Sequence, residues 1–191
     1  MILPSQAEIL QSLYAVWRLL RGDRSALALL DGSPDAFVKS FFAAVLVLPF
    51  WLLHEWTLLS EERLAGGLFF LLAIEGLTYT ISWLAFPVVM VFVAEALGRD
   101  RNYLHYIVAW NWAVVIQAAF AVPIAALAGA AGVPALGGIL LLVQIAIFAY
   151  QWYITRVTLQ VDSLPAVGIV FMGWVLDLLV AGIGRSMVVL S

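Results

Sequence analysis

GLFFLLAIEGLTYTISWLAFPVVMVFVAEAL, residues 67–97, holds only two charged side chains, Glu75 and Glu95. A helix rises about 1.5 Å per residue, so ~20 apolar residues cross the roughly 30 Å hydrocarbon core of a bilayer. This run is long enough to cross and to project beyond the core. Pro87 lies inside it, leaves the Trp83 carbonyl without its helical donor, and predicts a kink. The stretch reads as a transmembrane helix, and the rest of the chain repeats its character.

Of 191 residues, 65% are hydrophobic and 11% charged, with a mean hydropathy of +1.07. Soluble domains are about half apolar and a quarter charged. This chain lacks the polar surface to cover a water-soluble globule. Four further stretches have spanning length: Ala36 to about Trp56, Tyr103 to about Ala130, about Ala135 to Thr155, and about Leu164 to Leu190. The connections TLLSEERLAG, GRDRN, GAAGVP and RVTLQVDS are short, which makes sequential helices antiparallel. The expected fold is all-α, a polytopic membrane bundle of five transmembrane helices preceded by an amphipathic interfacial helix. Residues 1–35 form the cytoplasmic N-terminal segment and 36–191 the five-span domain, with no appended soluble domain. No internal repeat is visible, and an odd number of spans does not suit the inverted repeats common in secondary transporters.

Charge placement sets the expected orientation. Arg18, Arg21, Arg24, Lys39, Arg99, Arg101 and Arg156 share one side, while Arg63 and Arg185 fall on the other. The positive-inside rule puts the N-terminus in the cytoplasm and the C-terminus outside. The opening ILPSQAEIL has neither a basic n-region nor a cleavable apolar core, so no signal peptide is expected. A bacterial inner membrane is the expected location.

In PSQAEILQSLYAVWRLLRGD, Ser5 and Glu8 form an S-x-x-E capping box just after Pro4. Ile9, Leu10, Leu13, Tyr14, Val16, Trp17 and Leu20 then recur at helical spacing, with Glu8, Gln11, Ser12 and Arg18 opposite. Two placements fit. The helix lies in the cytoplasmic interface, anchored by Trp17, Arg18 and Arg21, or it packs against the ends of the spans. Downstream, Ser33 and Pro34 give an N-cap and a first helical position, with Asp35 in the first turn.

The last span carries an acid near its middle. Gly173, Asp177, Ala181 and Gly184 make one stripe of small residues, the pattern that lets helices approach closely in lipid. Asp177 therefore faces another helix, as ionisable groups in membranes nearly always do. Gln117 and Gln144 fall at similar depth, and Gln144, Gln151, Thr155 and Thr158 share a face. Glu75, Thr78, Tyr79 and Ser82 give the second span a polar face, and Asn111 lies nearer the cytoplasmic side. The candidate intramembrane polar cluster is Asp177, Gln144, Gln117, Gln151 and Glu75. In the structural reading, Asp177 is protonated and donates to a glutamine carbonyl. In the functional one, it is a proton or cation site in a polar pathway. The absence of a second acid or a basic residue at its depth favours the structural reading.

No cysteine is present, which excludes disulfides and thiolate chemistry. His54 and His105 are too far apart for a histidine metal site without carboxylates. His54, Glu55, Glu61, Glu62, Glu75 and Arg185 gather at the outer surface, as oxygen ligands for a divalent cation or as solvated loop ends. Trp51, Trp56, Trp110 and Trp152 read as interface anchors. None of the common nucleophile, phosphate-loop, dinucleotide or zinc-protease motifs occurs. No catalytic residue, cofactor or metal is expected, and the chain is read as non-enzymatic.

The amphipathic lead, the five spans and the short loops resemble the Yip-type five-span membrane proteins, relatives of Rab-interacting membrane proteins. So do YLHYIVAWNWAVVIQAAFAVP entering the third span and YITRVTLQVDSLPAVGIVFMGWVLDLLV leading into the fifth. Eukaryotic members of that family are similar in topology but carry a longer cytoplasmic N-terminus with a DLYGP-type stretch where this chain has DGSPDAF, so their GTPase-binding role is not carried over. It is a bacterial-like member that the chain resembles. The resemblance implies a non-enzymatic role in membrane organisation, scaffolding or trafficking. Its expected partners are membrane lipid and other membrane proteins or further copies of the chain, with no nucleic acid. The alternatives are a small transporter or channel subunit using Asp177 and Gln144, or an accessory subunit of a larger membrane complex.

Overall fold

The computed structural model describes residues 3–57, 67–131 and 136–189. Helix α1 (Gln6–Leu20) leads through a short 3-10 helix (Arg24–Leu29) to α2 (Pro34–Ser40) and α3 (Phe42–Thr57). The long helices α4 (Leu68–Ala96), α5 (Asp100–Ala131), α6 (Leu136–Leu159) and α7 (Ser163–Val189) follow. No strand occurs among the described residues. Five segments are long and apolar enough to span a bilayer: α2 with α3, then α4, α5, α6 and α7. The protein is therefore an integral membrane protein. Glu61, Glu62 and Arg63, with the rest of 58–66, lie outside the described residues, as do 132–135 of the third connection.

Local signals set the helix starts. The Ser5 backbone N–H donates to Glu8 Oε2 at 2.6 Å, and the Ser5 hydroxyl accepts from the Glu8 N–H at 3.3 Å, closing the capping box. The Ser33 hydroxyl accepts from the Ala36 N–H at 3.2 Å, with Pro34 at the first position of α2. The first span is not one continuous helix, as expected, but is interrupted at Phe41. There the Ser40 hydroxyl donates to the Phe37 carbonyl at 2.7 Å, competing with the backbone ladder. Gly98, at φ +63°, ends α4, and Arg99 N–H reaches back to the Ala94 carbonyl at 2.7 Å. That left-handed cap turns the chain into α5 within a few residues.

Helix α5 is the centre of the bundle. It packs on α1, α2, α3, α4 and α6, while α7 packs on α4 and α6, so that α4, α5, α6 and α7 close a ring. Tyr106, Ile107, Val108, Ala109 and Trp112 of α5 are buried. Polar bonds tie the helices together: Asn111 Nδ2 donates to Ser40 Oγ at 2.9 Å, and Tyr79 Oη to the Ala44 carbonyl at 2.6 Å. Such interhelical bonds each contribute about 0.6–2 kcal/mol in a membrane.

Helix α1 packs against the bundle and does not merely lie beside it. Ala15, Val16 and Leu19 are fully buried. Tyr150 Oη donates to the Val16 carbonyl at 2.6 Å, and Tyr153 Oη to the Gly22 carbonyl at 3.0 Å. Lys39 Nζ bridges Glu8 at 2.7 Å and Asp35 at 2.8 Å. A second apolar stripe, Leu10, Tyr14, Trp17 and Leu20, remains exposed. The packed placement read from the sequence is thus formed, and the exposed stripe is the face that the interfacial placement would use.

Candidate intramembrane site

Ala166, Val170, Gly173, Gly184 and Val188 of α7 recur at helical spacing and are buried. The two glycines bring α7 onto α4. A Cβ on Gly173 would lie 3.0 Å from the Phe86 ring and 3.7 Å from Trp110, and one on Gly184 would collide with Thr78. Asp177 sits between these two close approaches on the same face. It is nevertheless accessible, because the seam opens at its level.

Two cavities meet there. The first, about 320 Å³, is lined by residues of all four ring helices and by Val47. Ser82, Asn111, Gln117, Gln144, Gln151 and Asp177 are its polar wall. The second, about 300 Å³, runs between α3, α4 and α7 to His54, Glu55, Glu75 and Arg185, at the end of the bundle away from α1. Ser82, Trp83 and Asp177 line both. The stacked rings of Phe86 and Trp110, whose centroids are 4.3 Å apart, form part of the wall of the first cavity. Beyond them Tyr106 is wholly buried, its hydroxyl 3.1 Å from that of Thr155.

The structure brings four of the five residues of the expected polar cluster, Asp177, Gln144, Gln117 and Gln151, to one cavity. Glu75 lines the second and is buried, 7% exposed. The expected bond from Asp177 to a glutamine is not formed. Gln151 Nε2 donates to Gln117 Oε1 at 3.2 Å instead, and Asp177 makes no hydrogen bond or ion pair among the described residues. The glutamine carbonyl is taken on its own side of the cavity. Gln117 Nε2 is buried and without a partner among the described residues. Thr155 and Thr158, at the α1 end of the same α6 face, turn back onto the carbonyls of Gln151 and Ile154 at 2.7 and 2.6 Å. They are structural.

Among the described residues, Asp177 is the only ionisable side chain on the wall of the first cavity. Five aromatic residues share that wall, Trp83, Phe86, Trp110, Phe148 and Trp174, with smaller apolar residues between them. Trp110 is thus not the interface anchor expected from its position but part of the interior, stacked on Phe86. Trp51 similarly turns inward, its ring 4.8 Å from Tyr79. Ser82 belongs to the polar face read for the second span but not to the expected Asp177 cluster, and sequence reasoning missed Trp83 as a wall residue. The available signal was Pro87, which frees a carbonyl at Trp83 itself. At the outer group, no set of three His, Asp or Glu residues among the described ones is arranged to hold a metal.

The expected interface anchors have local roles as well. Trp17 stacks on Phe120 with centroids 6.3 Å apart. Arg18 Nε donates to Asp23 Oδ2 at 2.8 Å, and its guanidinium lies 5.6 Å from the centroid of the Tyr14 ring. Ser25 and Arg18 hold the Asp23 carboxyl below the usual carboxylate range. Arg21 caps α1 and is exposed. Lys39, with Ser5, holds the Glu8 carboxyl at about 2. No family model, curated protein or solved structure matches the chain.

Proposed function

We propose that the protein binds a small polar solute inside the membrane, admitted from the end of the bundle opposite α1, as a transporter or channel subunit would. One observation carries this reading: a carboxylate on the packed face of α7 meets open space instead of a partner. Ionisable groups at such depth are costly and mark substrate or ion pathways. A concave cavity of a few hundred Å³ with a few convergent polar groups is the usual form of a small-molecule site. The second cavity supplies the approach, and Asp177 with Ser82 and Trp83 forms the passage between the two.

The membrane-organising role implied by the Yip-type resemblance makes no use of these cavities, and solute binding is therefore preferred. The reading is non-enzymatic and calls for no cofactor. With the basic residues facing the cytoplasm, the approach opens to the outside of what we take to be a bacterial inner membrane. To test it, the protein is extracted directly into native-lipid nanodiscs and its bound small molecules are identified by mass spectrometry. A small molecule should accompany the parent chain and be lost from Asp177→Leu, which removes the charge and fills the passage. Identical profiles from the two proteins would contradict the proposal.

A further inference from the structure

We infer that the solute class of the first cavity is a small organic ammonium ion. This rests on the cavity being a solute site and adds the chemistry of its wall. Among the described residues the wall carries one carboxylate and no basic side chain, so an ionised Asp177 disfavours an anion. A neutral solute makes no use of an ionised Asp177, whereas a cation pairs with it. A bare divalent cation takes six to eight oxygen ligands. Here a single carboxylate and scattered amides share the wall with five aromatic residues, three of them tryptophans. Aromatic faces attract alkylammonium groups, with tryptophan the best of them, and the attraction grows when water is excluded. The amides then have a task of their own. Gln117 lines the cavity with its Nε2 unpartnered among the described residues, and a turn of its side chain would present that donor to an oxygen on the same ligand. One positive head against Asp177 and the rings, with one polar group toward the glutamines, fits a volume of about 320 Å³.

The probes are choline and its uncharged carbon isostere, 3,3-dimethylbutan-1-ol, added to the full chain in nanodiscs. Binding is followed by calorimetry and by tryptophan emission. Choline should bind saturably, the neutral isostere at least tenfold more weakly, and potassium chloride at equal concentration should not displace choline. Asp177→Asn, which keeps the shape, should weaken choline at least tenfold while leaving the isostere unchanged, and Trp83→Leu should weaken choline severalfold. No saturable choline binding, equal binding of the two probes, or displacement by potassium would each overturn the assignment; the probe comparison uses the unaltered chain and does not depend on how a variant folds. Modification of Ser82→Cys by a water-soluble thiol reagent separates this failure from that of the broader reading. A reactive cysteine without choline binding removes only the ammonium class, whereas an unreactive one removes both.

Discussion

At the scale of single residues, the α4–α7 seam turns on what each small residue meets. Gly168 has open space where a Cβ would go, whereas Gly184 faces Thr78. Gly168→Ala should therefore be neutral or stabilise by up to about 1 kcal/mol, since alanine favours helix. Gly184→Ala should destabilise by about 1–3 kcal/mol despite the same gain. Thr78→Ala in the Gly184→Ala background should recover most of that loss in a double-mutant cycle read by thermal unfolding in detergent. Asp177 gives a second comparison. A carboxyl bonded to glutamine would make Asp177→Leu clearly destabilising, but one facing open space should lose nothing on that change, because no hydrogen bond is broken. The small-residue stripe made the face of Asp177 legible in the sequence. The empty space before it was not, because periodicity reports direction and not the distance to the next helix. Gln117 shows the same limit: its depth was readable, but its bond to Gln151 depends on how α5 and α6 cross.

At the scale of elements, α1 was legible where chemistry is local and obscure where it is tertiary. The Ser5–Glu8 and Ser33–Pro34 starts follow from side chains that satisfy the first N–H groups of a helix. The burial of Ala15 and Leu19 depends on α5 and α6, and no pattern within α1 distinguishes the packed stripe from the exposed one. Glu8 faces Lys39, which also holds Asp35, and Gln11 and Asp31 line the same niche. The Glu8 carboxyl falls from an ordinary 4.5 to about 2 on folding. Its contribution to docking α1 is thus complete above pH ~4.5 and lost as pH falls toward ~2. Hydrogen exchange of α1 amides, corrected for intrinsic rates, should be protected at pH 6 and progressively less so between pH 4.5 and 3. Glu8→Gln should weaken protection at pH 6 and flatten this dependence. The exposed stripe makes its own prediction: a peptide of residues 5–21 should gain helicity on lipid vesicles, more so on anionic ones. A peptide that stays unstructured on both would confine α1 to its packing role.

At the scale of the whole molecule, the five spans were legible because composition and run length alone decide membrane insertion. Their bounds shifted by a few residues where caps and proline tolerance prevailed over hydropathy, as at Leu159, where α6 runs beyond the expected Thr155. The break at Phe41 was hidden inside a uniformly apolar run. The central position of α5 was also unreadable, since neighbours along the chain need not be the helices that pack most closely. Orientation remains a matter of charge placement. A reporter fused after Ser191 should read as external and one within GRDRN as cytoplasmic, and the same compartment for both would refute the five-span topology.

The most direct test of the account uses the natural absence of cysteine. Ser82 lines both cavities, whereas Thr155 is fully buried behind the first. Each is replaced by cysteine in an otherwise unaltered chain and exposed, in sealed vesicles of known sidedness, to a membrane-impermeant thiol reagent. The account predicts that Ser82→Cys is modified from the side opposite α1 and not from the α1 side, while Thr155→Cys is modified from neither. A Ser82→Cys as unreactive as Thr155→Cys would contradict an intramembrane cavity open to water at Asp177.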